Sequence, residues 1–144
     1  MTPSDEDVAL TYMRVRAELD AGDYRAAVRL AEKVIGDDPA DDRMRELLVS
    51  VHYRMGNMPA AIATCQELLQ ASPQLLVAWR RYARLLVETW QFDRADAVLA
   101  QALSRFSLDE QLLALAIFVK QELGLLADAQ AFAVRAAALY PESL

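Results

Sequence analysis

Two arginines of the sequence have a spacing that suits the recognition of a carboxylate. Arg80 and Arg84 are four residues apart, and on a helix this spacing places two side chains on one face, one turn apart. A guanidinium group can donate two parallel hydrogen bonds to a carboxylate. We therefore predict that this pair binds an acidic side chain or a terminal carboxylate. The alternative is that the arginines pair with acids of the same chain, namely Glu46, Glu88 and Glu122.

The residue types that catalysis or metal binding requires are scarce. His52 is the only histidine and Cys65 the only cysteine, and they fall on different predicted helices, whereas a zinc site needs a cluster of such ligands. The sequence contains no glycine-rich phosphate loop and no nucleophile elbow. We interpret His52 as a packed ring and Cys65 as a buried structural thiol. We expect no metal, no cofactor and no enzymatic activity.

Composition and charge favour one cytoplasmic globular domain. The 144 residues are 55% hydrophobic with four glycines and five prolines, so we predict a single folded domain over residues 1–144. The net charge of −6 disfavours nucleic acids and anionic membranes as partners, because these need a cationic face. The longest apolar run, 112–119, is too short to span a membrane. The N-terminal segment is acidic, which is not typical of a secretory signal, and we expect a cytoplasmic location.

Glycine, alanine and proline recur with a period of 34 residues. Three glycines and a tryptophan share one position of this period: Gly22, Gly56, Trp90 and Gly124. An alanine follows each of them at the same distance: Ala27, Ala61, Ala95 and Ala129. A later shared position holds Pro39, Pro73, Ser107 and Pro141. Such a period is typical of helix–turn–helix solenoids. It predicts an all-α solenoid of eight helices in four repeats, at 8–41, 42–75, 76–109 and 110–143.

Each of these landmarks has a physical role in a helix–turn–helix repeat. Glycine suits the left-handed backbone that ends a helix, where other residues meet a steric penalty. Alanine suits a point where two helices cross closely and a larger side chain would clash. Trp90 is the exception among the turn residues. Its turn must either avoid the left-handed conformation or be strained.

These landmarks make the sequence similar to the tetratricopeptide-repeat family. Segment 21–39 is close to the second helix of that family. The later copies match through Gly56, Ala61, Pro73, Trp79, Phe92, Ala95, Ala102, Gly124, Ala129, Ala136 and Pro141. The resemblance implies a binding protein whose first helices line a concave groove. Carried over position by position, it implies that the partner-binding residues are Tyr12, Arg16, Tyr53, Arg54, Arg80, Arg84 and Phe118.

Aromatic and arginine side chains in this implied groove indicate the kind of partner. We predict a non-enzymatic adaptor that binds a peptide or a helical segment of a protein carrying acidic and apolar residues. A subset of the family captures C-terminal carboxylates with paired lysines and asparagines. The only asparagine here, Asn57, lies at a turn, so that function is not expected. Small acidic members of the family serve as bacterial secretion chaperones, which is our narrower hypothesis.

The C-terminal helix supports a rival hypothesis from another functional class. Segment 126–140 contains seven alanines together with Phe132 and Tyr140. An alanine-rich surface lets another helix approach closely, so the protein could be an architectural subunit that forms a homo-oligomer through this helix. The simpler interpretation of the same composition is high intrinsic helix propensity.

Overall fold

The chain folds into α-helices that form two compact units, Met1–Pro73 and Gln74–Leu144. The structure is a computed structural model that describes residues 4–143. Across this range it contains eight α-helices and a short C-terminal 3-10 helix, without a β-strand. The prediction of an all-α protein with eight helices is confirmed.

Each unit contains four helices that pack in sequence order. The helices of unit 1 are α1 (Asp5–Asp20), α2 (Tyr24–Asp37), α3 (Asp42–Arg54) and α4 (Met58–Ala71). Those of unit 2 are α5 (Leu76–Glu88), α6 (Phe92–Arg105), α7 (Glu110–Glu122) and α8 (Leu126–Leu139). Consecutive helices contact each other within each unit, and the first helices of adjacent pairs also meet, α1 with α3 and α5 with α7.

The first helix begins earlier than the repeat pattern predicts. The repeat was expected to start at Val8, whereas α1 begins at Asp5. The reason is a capping box: the Ser4 hydroxyl accepts a hydrogen bond from the Asp7 backbone N–H at 3.1 Å, and the Asp7 carboxylate accepts one from the Ser4 N–H at 3.3 Å. These bonds satisfy backbone groups that the first turn would otherwise leave without partners.

The core of each unit is built from aliphatic side chains and from the periodic alanines. In unit 1 a cluster of buried side chains joins the first three helices: Val15, Leu19, Ala27, Ala31, Met44, Leu47, Leu48 and Val51. All four periodic alanines are buried: Ala27, Ala61, Ala95 and Ala129. This burial agrees with the prediction that they lie where helices pack closely and a larger side chain would clash.

The four turns inside the helix pairs share one hydrogen-bond pattern. In the first, the Gly22 N–H donates to the Leu19 carbonyl and the Asp23 N–H to the Glu18 carbonyl. The turn at Trp90 repeats this pattern, with the Gln91 N–H donating to the Leu86 carbonyl at 2.9 Å. Such a helix end needs a left-handed residue. The three glycines supply it with φ between 74° and 81°, and Trp90 supplies it with φ 61°.

Candidate protein-binding surfaces

The predicted binding residues of unit 1 lie on its adjacent first helices, α1 and α3. The guanidinium carbon of Arg43 lies 4.3 Å from the centre of the Tyr12 ring, which is the geometry of a cation–π contact. Arg54 forms an ion pair with Asp20 at 3.4 Å. Both partners of that pair are exposed, so it adds little to stability. Arg16 and Tyr53 are also exposed.

In unit 2 the two arginines of the predicted clamp have different surroundings. Arg80 donates two hydrogen bonds to the Asp109 carboxylate, from Nε to Oδ2 at 3.1 Å and from Nη2 to Oδ1. Asp109 also caps α7, because its side chain accepts from the Leu112 N–H at 2.9 Å. Arg84 is exposed, and its Nη2 lies 3.4 Å from Oε1 of Gln111. Arg80 is therefore held by an acid of its own unit, whereas the charge of Arg84 faces solvent.

The charge state of Asp109 follows from this pairing. Its side chain is 7% exposed. The hydrogen bond from Arg80 holds the pKa of the carboxyl below its ordinary value, against the opposing effect of burial. Arg80 and Asp109 are 29 residues apart, so helical spacing alone did not predict that they pair. Glu46, Glu88 and Glu122 were the acids predicted as alternative partners, and Arg80 pairs with Asp109 instead.

Phe118 belongs to a row of three aromatic rings, which we call the aromatic ladder: Trp90 and Phe118 are exposed, and Phe92 between them is half-buried. The centres of the Phe92 and Phe118 rings are 6.1 Å apart, and those of Trp90 and Phe92 are 5.7 Å apart, both in edge-to-face geometry. Phe118 is 42% exposed and Trp90 is 77% exposed. The ladder therefore extends the predicted binding position at Phe118 to the turn before α6.

Trp90 combines an exposed ring with a strained backbone. Its φ of 61° lies in the left-handed region, which is unfavourable by about 1 kcal/mol or more for a residue with a Cβ. The sequence signal for this residue was present, since Trp90 stands where the other turns have glycine. From the sequence alone Trp90 was interpreted only as a departure from the glycine turn pattern, with no binding role predicted for it.

His52 and Cys65 are both buried, as the sequence predicted. His52 is 8% exposed and Cys65 is fully buried. Burial lowers the pKa of His52, and the negative charge of Glu32 opposes this shift only in part. Within residues 4–143, no group of three His, Cys, Asp or Glu side chains is arranged to hold a metal ion.

Among the eight described helices, the last one, α8, has the fewest buried residues. Ala129 is its one buried residue, while Leu126 and Val134 are largely exposed. The two rings of this segment, Phe132 and Tyr140, both make use of unit 2 rather than lying fully in solvent. Phe132 is half-buried, and the Tyr140 hydroxyl donates to the Leu108 carbonyl.

Along the described part of the chain, none of the helices has both the length and the apolar content needed to cross a membrane.

Comparison with known proteins identifies the fold. Two family models, both described as tetratricopeptide repeat, match residues 12–75 and 54–121. Among solved structures, "MamA 41-end" from Desulfovibrio magneticus RS-1 is 18% identical, with a TM-score of 0.79, over 98% of this chain and 79% of that one. A MamA RS-1 double mutant aligns over the same shares with a TM-score of 0.80 and 18% identity.

A third solved structure is a domain seen with its partner. The TPR2B domain of yeast Sti1, in a complex with pHsp70, is 18% identical, with a TM-score of 0.66, over 79% of this chain and 96% of that one. Comparison with curated protein sequences gives no match. Proteins of this fold are generally non-enzymatic modules for protein–protein interaction. The matches to the family models, with the similarity in fold, establish that this chain belongs to the tetratricopeptide-repeat family.

Proposed function

We propose that this protein is a non-enzymatic adaptor that binds a peptide or a helical segment of a partner protein through the exposed faces of its first helices. Unit 1 presents Tyr12, Arg16, Tyr53 and Arg54 on its first helices α1 and α3, and unit 2 presents Arg84 and Phe118 on its first helices α5 and α7. Arg80 also belongs to the proposed face, where it orients Asp109 and not a ligand.

The observation that carries the proposal is the aromatic ladder. Exposed aromatic side chains dominate the binding energy of many interfaces, because each buries a large area with little loss of conformational freedom. Trp90 adds little to the core of unit 2, since it is 77% exposed and its ring meets the unit through an edge contact with Phe92. A stability-driven sequence would have glycine at φ 61°. An exposed tryptophan at a position whose backbone favours glycine is consistent with a contact between the Trp90 ring and a partner protein.

The proposed partner carries a bulky apolar residue beside acidic residues. The apolar residue would pack on Phe118 and Phe92, and the acids would approach Arg84. Exposed charge pairs contribute less than about 1 kcal/mol each, so affinity would depend mainly on the rings and salt sensitivity on the arginine. Capture of a protein segment by the Sti1 domain in its pHsp70 complex supports this mode of action for the fold. The narrower hypothesis is that the protein is a secretion chaperone. In that role Phe118 and Phe92 would cover an apolar segment of the secreted protein.

A peptide-display selection tests the adaptor proposal. Random peptides are selected on the wild-type protein, and single clones are then measured against Phe118→Ala, Arg84→Glu and the control Leu108→Ala, which removes an exposed apolar side chain of unit 2 outside the ladder. We expect Phe118→Ala to weaken binding about tenfold or more, with circular dichroism unchanged. Arg84→Glu should weaken binding more at low salt than at high salt. Selected peptides that bind all variants equally would refute the proposed surface.

Self-assembly through α8 is the second candidate function. The observation that favours it is the exposure of two branched apolar side chains on that helix, Leu126 at 68% and Val134 at 64%. Sedimentation velocity over a wide range of protein concentrations tests it. Self-assembly predicts a concentration-dependent oligomer that Val134→Glu dissociates, and a protein that stays monomeric at the highest concentration would exclude it.

A further inference from the structure

Unit 1 contains a solvent-open cavity of about 600 Å³, separate from the first-helix residues of the proposed adaptor surface. It lies between the N-terminal half of α2 and the C-terminal end of α3. The apolar side chains of Val28 and Met55 form part of its wall, and Arg25 and Arg29 form another part. The cavity thus offers an apolar surface beside a pair of cations.

Arg25 and Arg29 are positioned to act together on a bound group. Four residues apart on α2, they lie on one face of the helix. Both are exposed, and the described residues provide neither with an ion-pair partner. Two further polar side chains of the wall have structural roles: Asp23 and Asn57 cap the helices α2 and α4 with their side-chain oxygens.

The fold does not require arginine at either position. Arg25 lies in the first turn of α2, where the positive end of the helix dipole disfavours a cation. The residue equivalent to Arg29 in the other helix pairs is an exposed alanine. These alanines are Ala63, Ala97 and Ala131. An arginine pair found only in this helix pair, and unfavourable for the helix at one position, points to a bound anion.

A buried imidazole completes the wall. His52 lines the cavity and is 8% exposed, and within residues 4–143 its Nδ1 has no hydrogen-bond partner. A buried polar atom without a partner is unfavourable and usually has an explanation. A half-turn of the ring exchanges Nδ1 with a carbon without changing its shape. The unsatisfied ring nitrogen can therefore lie on either side of the imidazole.

We propose that this cavity binds a small organic acid, with its carboxylate between Arg25 and Arg29 and its apolar body against Val28 and Met55. The charges favour a monoanion, because two arginines and Asp23 together leave one net positive charge on the wall. A phosphate dianion would exceed that charge and would lose water against the apolar side chains. The carboxylate can come from a free small molecule or from the terminus of an apolar peptide, and the two sources share the same contacts.

Nuclear magnetic resonance of the imidazole tests this site directly, because His52 is the only histidine. The ring signals are followed during titration with sodium octanoate, with octanol as the uncharged probe of matched length. An apolar dipeptide with a free or an amidated C-terminus tests the second source. We expect saturable shifts with octanoate, with the free-acid dipeptide or with both, and none with octanol or the amide.

Two variants and a matched control separate the site from general attraction of an anion. Arg29→Ala introduces the residue that the other helix pairs have at this position, and it should weaken octanoate binding about tenfold, as loss of a charge-assisted hydrogen bond does. Arg25→Ala should act in the same direction. Arg14→Ala removes the same charge from an exposed position of α1 and should leave binding unchanged. Equal weakening by all three variants, equal binding of octanol, or binding of no carboxylate probe would overturn the proposal.

Discussion

Replacing Asp109 tests whether the pairing with Arg80 stabilises unit 2. The carboxylate caps α7 through the Leu112 N–H at 2.9 Å and accepts two hydrogen bonds from Arg80. Loss of a helix cap costs about 1 kcal/mol. The ion pair adds about 1 kcal/mol, between the value for exposed pairs and that for buried charged hydrogen bonds, because the Arg80 side chain is 30% exposed. We therefore expect Asp109→Ala to lower the free energy of unfolding by about 2 kcal/mol.

Two further variants divide this loss into its parts. Asp109→Asn keeps a good cap and removes the charge, so it should cost about 1 kcal/mol. Asp41 occupies the equivalent position before α3 and caps it through the Met44 N–H at 2.9 Å. Asp41→Ala should therefore cost about 1 kcal/mol as a loss of the cap alone. A double-mutant cycle of Arg80→Ala with Asp109→Asn, measured by urea unfolding, should give a coupling energy of about 1 kcal/mol.

The stabilisation by Asp109 should depend on pH in a defined direction. Arg80 lowers the pKa of this carboxyl in the folded state, so the folded protein binds the proton less readily than the unfolded chain does. The stabilisation is then complete above the unfolded pKa of about 3.9 and is lost as the pH falls from there through the lower folded value. The difference in stability between wild type and Asp109→Asn should thus persist at pH 7 and shrink below about pH 4. A wild-type stability for Asp109→Asn at pH 7, or a zero coupling energy, would refute the reasoning.

The remaining predictions test the packing, the turns and the burial of Cys65. Ala95→Leu should destabilise by about 1–3 kcal/mol through overpacking of a fully buried site, whereas Ala97→Leu, on an exposed position of the same helix, should have little effect in urea unfolding. Gly56→Ala should cost about 1 kcal/mol because of its φ of 79° alone, since a Cβ there would meet no atom within 4 Å. Trp90→Gly should change stability by less than about 1 kcal/mol, since relief of the backbone offsets the lost edge contact with Phe92. The Cys65 thiol should react with a disulfide reagent only as fast as the protein unfolds, and rapid reaction in native buffer would contradict its burial.

The helical architecture was predictable because it depends on local and repeated requirements. A periodic glycine at each turn and a periodic alanine at each crossing reflect backbone conformation and packing distance, which act within one helix pair. The burial of Ala61 and Ala95 confirms that reasoning. The early start of α1 was missed because the repeat pattern outweighed a local capping signal at Ser4 and Asp7.

The electrostatics of the candidate surface were less predictable. The spacing of Arg80 and Arg84 predicts a shared helix face, but it does not reveal which acid lies nearby in the folded chain. Asp109 reaches Arg80 only because α5 and α7 pack side by side in unit 2. As a result the charge of Arg80 is paired with that of Asp109, whereas Arg84 remains exposed. Ion pairs between residues that are far apart in the sequence can be identified only from the folded structure.

Trp90 illustrates how a local rule, when it fails, can indicate function. The sequence left two outcomes open for its turn, and the left-handed one, with φ 61°, is realised. Because the hydrogen bonds of this turn match those of the glycine turns, the tryptophan brings strain and no compensating bond. Its ring is 77% exposed, so burial of the ring offsets little of the strain. Proteins retain such residues where a binding contact outweighs the loss of stability, and this reasoning makes the aromatic ladder the first surface on which to seek a partner.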